Sequence, residues 1–193
     1  MIIFGYTLRS RIFGKMNQIT SLPELIETLN ECDPQDYVKI AANMNLPKDE
    51  FEDYAFWNDD CYARNCIERT DVFELILICW KPGDETPVHG HDEQKCWIYQ
   101  VDGNMYEERF QEEDGELVSC NQMVLSPGRL SYMEDDMGYH SLENKSSDNS
   151  MTLHLYISPI DCCQVFDPSE EEFCEKELKY DSFKGVLTED LVS

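Results

Sequence analysis

Basic residues are scarce in this chain: fifteen Lys and Arg stand against forty Asp and Glu, a formal net charge of −25 over 193 residues. A surface that acidic repels phosphate backbones and anionic headgroups, so neither nucleic acid nor membrane is expected as a partner. Long apolar runs are missing too, and none approaches the roughly 20 residues that cross a bilayer as a helix. No Gly-rich phosphate loop and no local Ser/His/Asp or Cys/His motif is present, which leaves phosphoryl transfer and hydrolysis without support. The nine cysteines form an odd set with no CxxC pair and no regular spacing. That pattern argues against a disulfide framework or a structural zinc site, and reduced thiols in the cytoplasm fit it better. Met1 to Lys15 has only short apolar patches broken by Arg9 and Arg11, so it lacks the apolar stretch of a secretory signal. A transit segment is the reading left open there.

What is present is a foldable core. Apolar residues make up 41% of the chain and are spread from end to end, so the acidity is not that of a disordered tail. The length suits one domain with a helical appendage. Ser21-x-x-Glu24 has the form of a capping box, with Leu22, Leu25, Ile26 and Leu29 at helical spacing behind it. Asp33-Pro34 starts a second helix, lined on one face by Tyr37, Ile40, Ala41 and Met44 and ending before Pro47. A third, short helix is expected around Lys48 to Ala55. From Tyr62 the texture changes to short β-branched and aromatic runs between turn signals. Strands are expected at Val72 to Trp80, Cys96 to Val101, Met105 to Phe110, Leu117 to Leu125 and Met151 to Ser158, as in a sandwich or small barrel. Asp102-Gly103-Asn104 reads as a tight hairpin. After Cys163 the chain turns acidic and less periodic, like a tail packed on the outside.

Two of the four histidines, His89 and His91, are one residue apart, and a strand period of two points both rings to one face, where they can reach one metal ion. From Gly83 the spacing runs five residues to His89-Gly90-His91, four to Cys96 and six to Gly103. This resembles the first motif of the cupin superfamily, in which a glutamate usually stands at the Cys96 position. Pro127 and then Gly138-x-His140-x-x-x-Asn144 resemble the second motif, which supplies a third histidine from a facing strand. Three neutral imidazoles suit Fe(II), Zn, Cu or Ni on ligand type alone, and Cys96 could add a fourth ligand. The expected fold is mainly β: a cupin-type barrel over residues 61–167, an N-terminal helical segment over 1–60 packed on it, and an acidic C-terminal segment over 168–193.

The resemblance narrows with Tyr62-Ala63-Arg64-Asn65, Leu77-Ile78-Cys79-Trp80, the His89/His91 pair with Cys96 five residues on, Gly138-Tyr139-His140-Ser141-Leu142-Glu143-Asn144, and Leu153-His154-Leu155-Tyr156 followed by Ser158-Pro159. In that order they resemble the cysteine dioxygenase family. The resemblance implies that His89, His91 and His140 bind Fe(II), that Arg64 holds the carboxylate of L-cysteine with help from Tyr62, and that both atoms of O2 are added to the thiol. The product would be L-cysteine sulfinic acid, in cysteine catabolism towards taurine, hypotaurine and sulfate, made by a monomer in the cytoplasm. Cys96 and Tyr156 match the pair that animal-type members join by a thioether, which would make Cys96 a crosslink partner and no ligand. Thr152, His154 and Tyr156 alternate with Leu153 and Leu155, so three polar groups share a face and can form a relay that orients the phenol. Family members usually have serine at the Thr152 position and aspartate at the Gly90 position, and Cys163 matches a cysteine near the entrance of some of them. The alternatives are dioxygenation of another thiol, such as 3-mercaptopropionate, against which Arg64 speaks because such enzymes typically have glutamine there, and a metal-binding cupin without turnover.

Overall fold

The computed structural model describes residues 17–91 and 94–191, and the leader readings of Met1 to Lys15 lie outside the described residues. Helix α1 (Leu22–Glu31) starts where Ser21 Oγ accepts the Glu24 amide, and Glu50 Oε2 accepts the Leu22 amide from a later segment. Two of its otherwise orphaned N–H groups are thereby satisfied. Asp33 caps a 3-10 turn at Pro34–Asp36 that runs into α2 (Tyr37–Ala42). The third helix expected from the sequence is a 3-10 segment, Lys48–Tyr54. Only Phe51 is buried along it, so it has no apolar stripe at α-helical spacing to hold a longer-pitch helix against the core.

Twelve strands follow among the described residues: β1 (Ala63–Arg69), β2 (Phe73–Trp80), β3 (Cys96–Asp102), β4 (Met105–Glu113), β5 (Glu116–Leu125), β6 (Leu130–Met133), β7 (Tyr139–Glu143), β8 (Ser150–Ile157), β9 (Cys162–Asp167), β10 (Glu172–Glu177), β11 (Ser182–Phe183) and β12 (Val186–Leu187). One sheet has the order β12-β11-β1-β2-β8-β3-β6. The other is built from β5-β4-β7 and β10-β9, joined by an irregular segment over 84–91. Along that segment the Thr86 amide bonds Leu142 O at 2.9 Å, the Gly90 amide bonds Gln164 O at 3.0 Å, and Phe166 N reaches Val88 O at 2.8 Å. Two facing sheets of this kind form the cupin-type barrel.

Each central strand of the first sheet is buried on both faces, which explains the unbroken apolar run of β2. Phe73, Leu75, Leu77 and Cys79 meet α1 and α2, together with Leu153 and Leu155 of β8 and Trp97 and Tyr99 of β3. Ile76, Ile78 and Trp80 face the barrel interior with Ile98, Met105, Leu125 and Leu142. Fully burying each such aliphatic side chain contributes about 1.5–3 kcal/mol. The acidic end of the chain carries more structure than its composition suggests, with β9 and β10 paired and β11 running parallel to β1. No described helix is long and apolar enough to cross a membrane.

One turn is not what its residues suggest. Asp102-Gly103-Asn104 makes no hairpin, because β3 pairs with β8 and β6 while β4 pairs with β5 and β7. The chain there passes from one sheet to the other. Gln100 Nε2 and Ser150 Oγ both donate to Asp102 O, which satisfies the carbonyl that a hairpin ladder would have taken. A true hairpin forms at Asp114-Gly115, between β4 and β5.

Gly138, just before β7, has φ +88°, and a Cβ on it would lie 2.3 Å from Phe110 O. Gly115 has φ +87° with open space around it. Gly138→Ala should therefore cost well over the about 1 kcal/mol expected of Gly115→Ala from backbone conformation alone. Urea unfolding of the two variants side by side measures the difference, and equal midpoints would contradict the close approach at Gly138.

Candidate metal centre

His140 sits at the second position of β7 and faces the barrel interior with Leu142 and Asn144, all three fully buried. His89 lies directly opposite, in a backbone pair exchanging two hydrogen bonds of 2.9 and 3.1 Å. His91 follows two residues on and is 2% exposed. The ligand atoms of the three rings lie within 4.8 Å of one another. Gly90 between the pair packs toward the Tyr139 ring, away from the site.

Two of the rings are held by their outer nitrogens: His89 Nδ1 donates to Pro87 O at 2.9 Å and His140 Nδ1 to Glu107 Oε1 at 3.0 Å. Protons fixed on Nδ1 of His89 and His140 leave their Nε2 lone pairs pointing inward. Burial lowers the pKa of all three rings, and the neighbouring rings add to the fall for His91 and His140, so each stays neutral. His91 Nε2 and His140 Nε2 are 3.0 Å apart. Converging neutral imidazoles around one point fit a borderline cation such as Fe(II) or Zn.

Arg64 enters the same cavity from β1. It is 8% exposed, and its Nε and Nη2 have no hydrogen-bond partner among the described residues. Tyr62 lines the wall beside it, with its ring 4.8 Å from Trp80. A buried guanidinium edge of two parallel N–H groups is the shape that takes a carboxylate.

On β8, Thr152, His154 and Tyr156 share the interior face, and all are buried. Trp80 Nε1 donates to Thr152 Oγ1 at 2.9 Å, and Thr152 Oγ1 lies 2.9 Å from His154 Nε2. Because indole only donates, the threonine hydroxyl is free to donate onward to His154 Nε2 and place the ring proton on Nδ1. That nitrogen faces Cys96 Sγ at 3.9 Å. Cys96 is the register partner of Tyr156 across β3 and β8, and their side chains share a hydrogen bond. The chain of contacts from Thr152 to the phenol thus passes through sulfur. Burial, and then the neighbouring thiol, push the Tyr156 pKa up and keep it a neutral donor.

All nine residues singled out from the sequence converge here. Those missed stand behind them. Glu107, fully buried on β4, also accepts from Arg109 Nε at 3.2 Å and from Ser131 Oγ, while Arg109 Nη2 reaches Ser131 Oγ and Tyr132 O at 2.9 Å. Met105, Glu107 and Arg109 alternate at strand period, which is the signal that could have placed both charges on the interior face.

A family profile described as "Cysteine dioxygenase type I" matches residues 10–169. "Cysteine dioxygenase type 1" of Homo sapiens is 28% identical over 184 residues, covering 90% of this chain and 92% of its own. The Danio rerio protein of that name is 29% identical over 160 residues, with 76% and 79% covered, and the Rattus norvegicus one 28% over 180 residues, with 87% and 90% covered. A match over most of the chain, joined to three convergent imidazoles in a cupin-type barrel, places this thiol dioxygenase in the cysteine dioxygenase type I family.

Proposed function

We propose that this protein binds Fe(II) through His89, His91 and His140 and adds both atoms of O2 to the thiol of free L-cysteine, giving L-cysteine sulfinic acid. The observation that carries the reading is the buried Arg64 edge, with two N–H groups unanswered among the described residues, in the cavity that His89 and His91 of the imidazole cluster line. Bound Fe(II) would supply the electrons that let O2 react with a thiolate held beside it. With no carboxylate among the ligands, more of the metal's charge is left to attract a thiolate.

The rest is the work of side chains. Arg64 takes the substrate carboxylate through Nε and Nη2, and Tyr62 closes that wall. Tyr156, a neutral phenol, donates a hydrogen bond beside the reacting atoms. His154 and Thr152 hold the ring and its sulfur neighbour in place. Nine free cysteines are consistent with a reducing cytoplasm as the place of action. Arg64 favours an amino-acid thiol over one without a carboxylate.

Protein loaded with Fe(II) and given L-cysteine under 18O2 should yield sulfinate carrying two heavy oxygens, read by mass spectrometry; product with one would overturn the reaction. Cys96 opposite Tyr156 supports a thioether between them, which would lighten the intact chain by two hydrogens, about 2 Da. Cys96→Ala should abolish that lighter species and retain residual turnover, since the bond only positions the phenol. Glu107→Gln keeps an acceptor for His140 Nδ1 but removes the charge that raises the basicity of the ring. A loss of about 10- to 100-fold in Fe(II) affinity is expected, measured by chelator competition.

A further inference from the structure

Strand β1 carries two arginines, Arg64 and Arg69, at an odd separation, which in a regular strand puts them on opposite faces. A bulge between Cys66 and Glu68 shifts the register, so that Arg64 lies opposite Ile78 and Arg69 opposite Glu74. Both guanidinium groups therefore belong to the side of the sheet on which Glu74 is fully buried. A buried carboxylate attracts any guanidinium within reach. Arg69 answers it at 3.1 Å and spreads its other terminal nitrogen over Asp161 at 2.8 and 2.9 Å. Arg64 does not, although its Nε and Nη2 have no partner among the described residues.

Tyr180 is the neighbour that the two arginines share. Each guanidinium carbon lies 6.0 Å from its ring centroid, within cation–π range. Its hydroxyl donates to Glu74 Oε1 and accepts from Arg69 Nη1, while Ile160 N donates to Glu74 Oε2 at 3.2 Å. Burial and the contact with Glu74 push the phenol pKa up, so it keeps its proton. The segment bearing Tyr180 is fastened to β1 next to Arg64: the Asp181 amide donates to Arg64 O, and Asp181 Oδ2 accepts the Arg64 amide, both at 2.8 Å. Residues 178–184 lie beyond the stretch that the family profile matches.

We propose that Tyr180 is a positioning residue for Arg64: by occupying the Glu74 carboxylate it keeps that buried charge from capturing Arg64, and so leaves Nε and Nη2 for the carboxylate of the substrate. The proposal rests on the reading of Arg64 as the carboxylate anchor. It makes the C-terminal segment a determinant of substrate affinity, with no part in the chemical step.

The test compares Arg64→Ala, Tyr180→Leu and Tyr180→Leu/Glu74→Gln in the Fe(II)-loaded protein, by steady-state kinetics with L-cysteine and by the protection that L-cysteine gives against thermal unfolding without O2. Tyr180→Leu should raise KM about tenfold or more with kcat within about threefold, and adding Glu74→Gln should bring KM back near the starting value. A KM unchanged in Arg64→Ala overturns the carboxylate reading and this proposal with it. A KM raised in Arg64→Ala but unchanged in Tyr180→Leu overturns the proposal alone, as does a raised KM that Glu74→Gln does not lower. Should Tyr180→Leu fail to fold, Tyr180→Phe replaces it: the ring stays, Glu74 loses one donor, and a rise in KM must again be relieved by Glu74→Gln, with no relief overturning the proposal.

Discussion

Two neutral imidazoles point Nε2 at Nε2 across 3.0 Å in the middle of a barrel, and a third ring joins them from the opposite backbone. With the Nδ1 of His140 already donating to Glu107, its inner nitrogen has a lone pair and no proton. That lone pair can accept from a protonated Nε2 of His91 or bind a cation placed between the rings. Folding alone has little to gain from such a cluster, because burying unrelieved polar groups costs stability. The surrounding structure must therefore overdetermine it, and it does: a two-way backbone pair locks His89 to His140, and a buried carboxylate held by Arg109 and Ser131 fixes the His140 ring.

The barrel makes that arrangement possible because its second sheet is not a set of regular strands. The segment over 84–91 sits between β7 and β9 through isolated bridges, so its backbone is satisfied without a full ladder. An irregular segment can deliver two histidines at spacing i, i+2, and the Gln94 amide donates to His91 O. The helices pack on the far face of the other sheet, against Phe73, Leu75, Leu77 and Cys79. They stiffen β2 and β8 from behind, so that Trp80, Thr152, His154 and Tyr156 present a fixed wall to the cavity.

Much of this was legible in the residues, for physical reasons that differ from part to part. The β8 triad could be read because strand periodicity is strict and apolar Leu153 and Leu155 mark the other face. The helix starts could be read because Ser21 and Asp33 are local capping groups. The turn at Asp102-Gly103-Asn104 was misleading, since dipeptide chemistry reports a reversal of the chain but not which strand receives it. Glu107 and Arg109 were hidden inside a run that reads as a solvated acidic strand, Glu-Glu-Arg-Phe-Gln-Glu-Glu, because charge at the outward positions masks the alternation that puts both on the interior face. The position of Arg69 depends on the β1 bulge, and nothing in Cys66-Ile67-Glu68 announces one.

Those hidden charges give the interior its sign. Two carboxylates, Glu74 and Glu107, are fully buried, and each is answered by an arginine of its own, Arg69 and Arg109. Buried pairs of this kind contribute little net stability but strongly resist losing one partner. With Arg69 and the Tyr180 hydroxyl on Glu74, and with Arg109 and Ser131 on Glu107, both carboxylates are already engaged. Where a cupin glutamate would offset the metal's charge, this barrel has Cys96, a thiol whose pKa burial pushes up and which therefore brings no charge. An excess of positive charge remains, shared between Arg64 and whatever cation the imidazoles hold, inside a protein whose net charge is −25. A long-range field from that surface cannot draw an anion inward, so selection has to act at contact distance. A zwitterionic amino-acid thiol fits both conditions: it approaches without net charge, its carboxylate matches the open Arg64 edge, and a cation held by the imidazoles would take its sulfur.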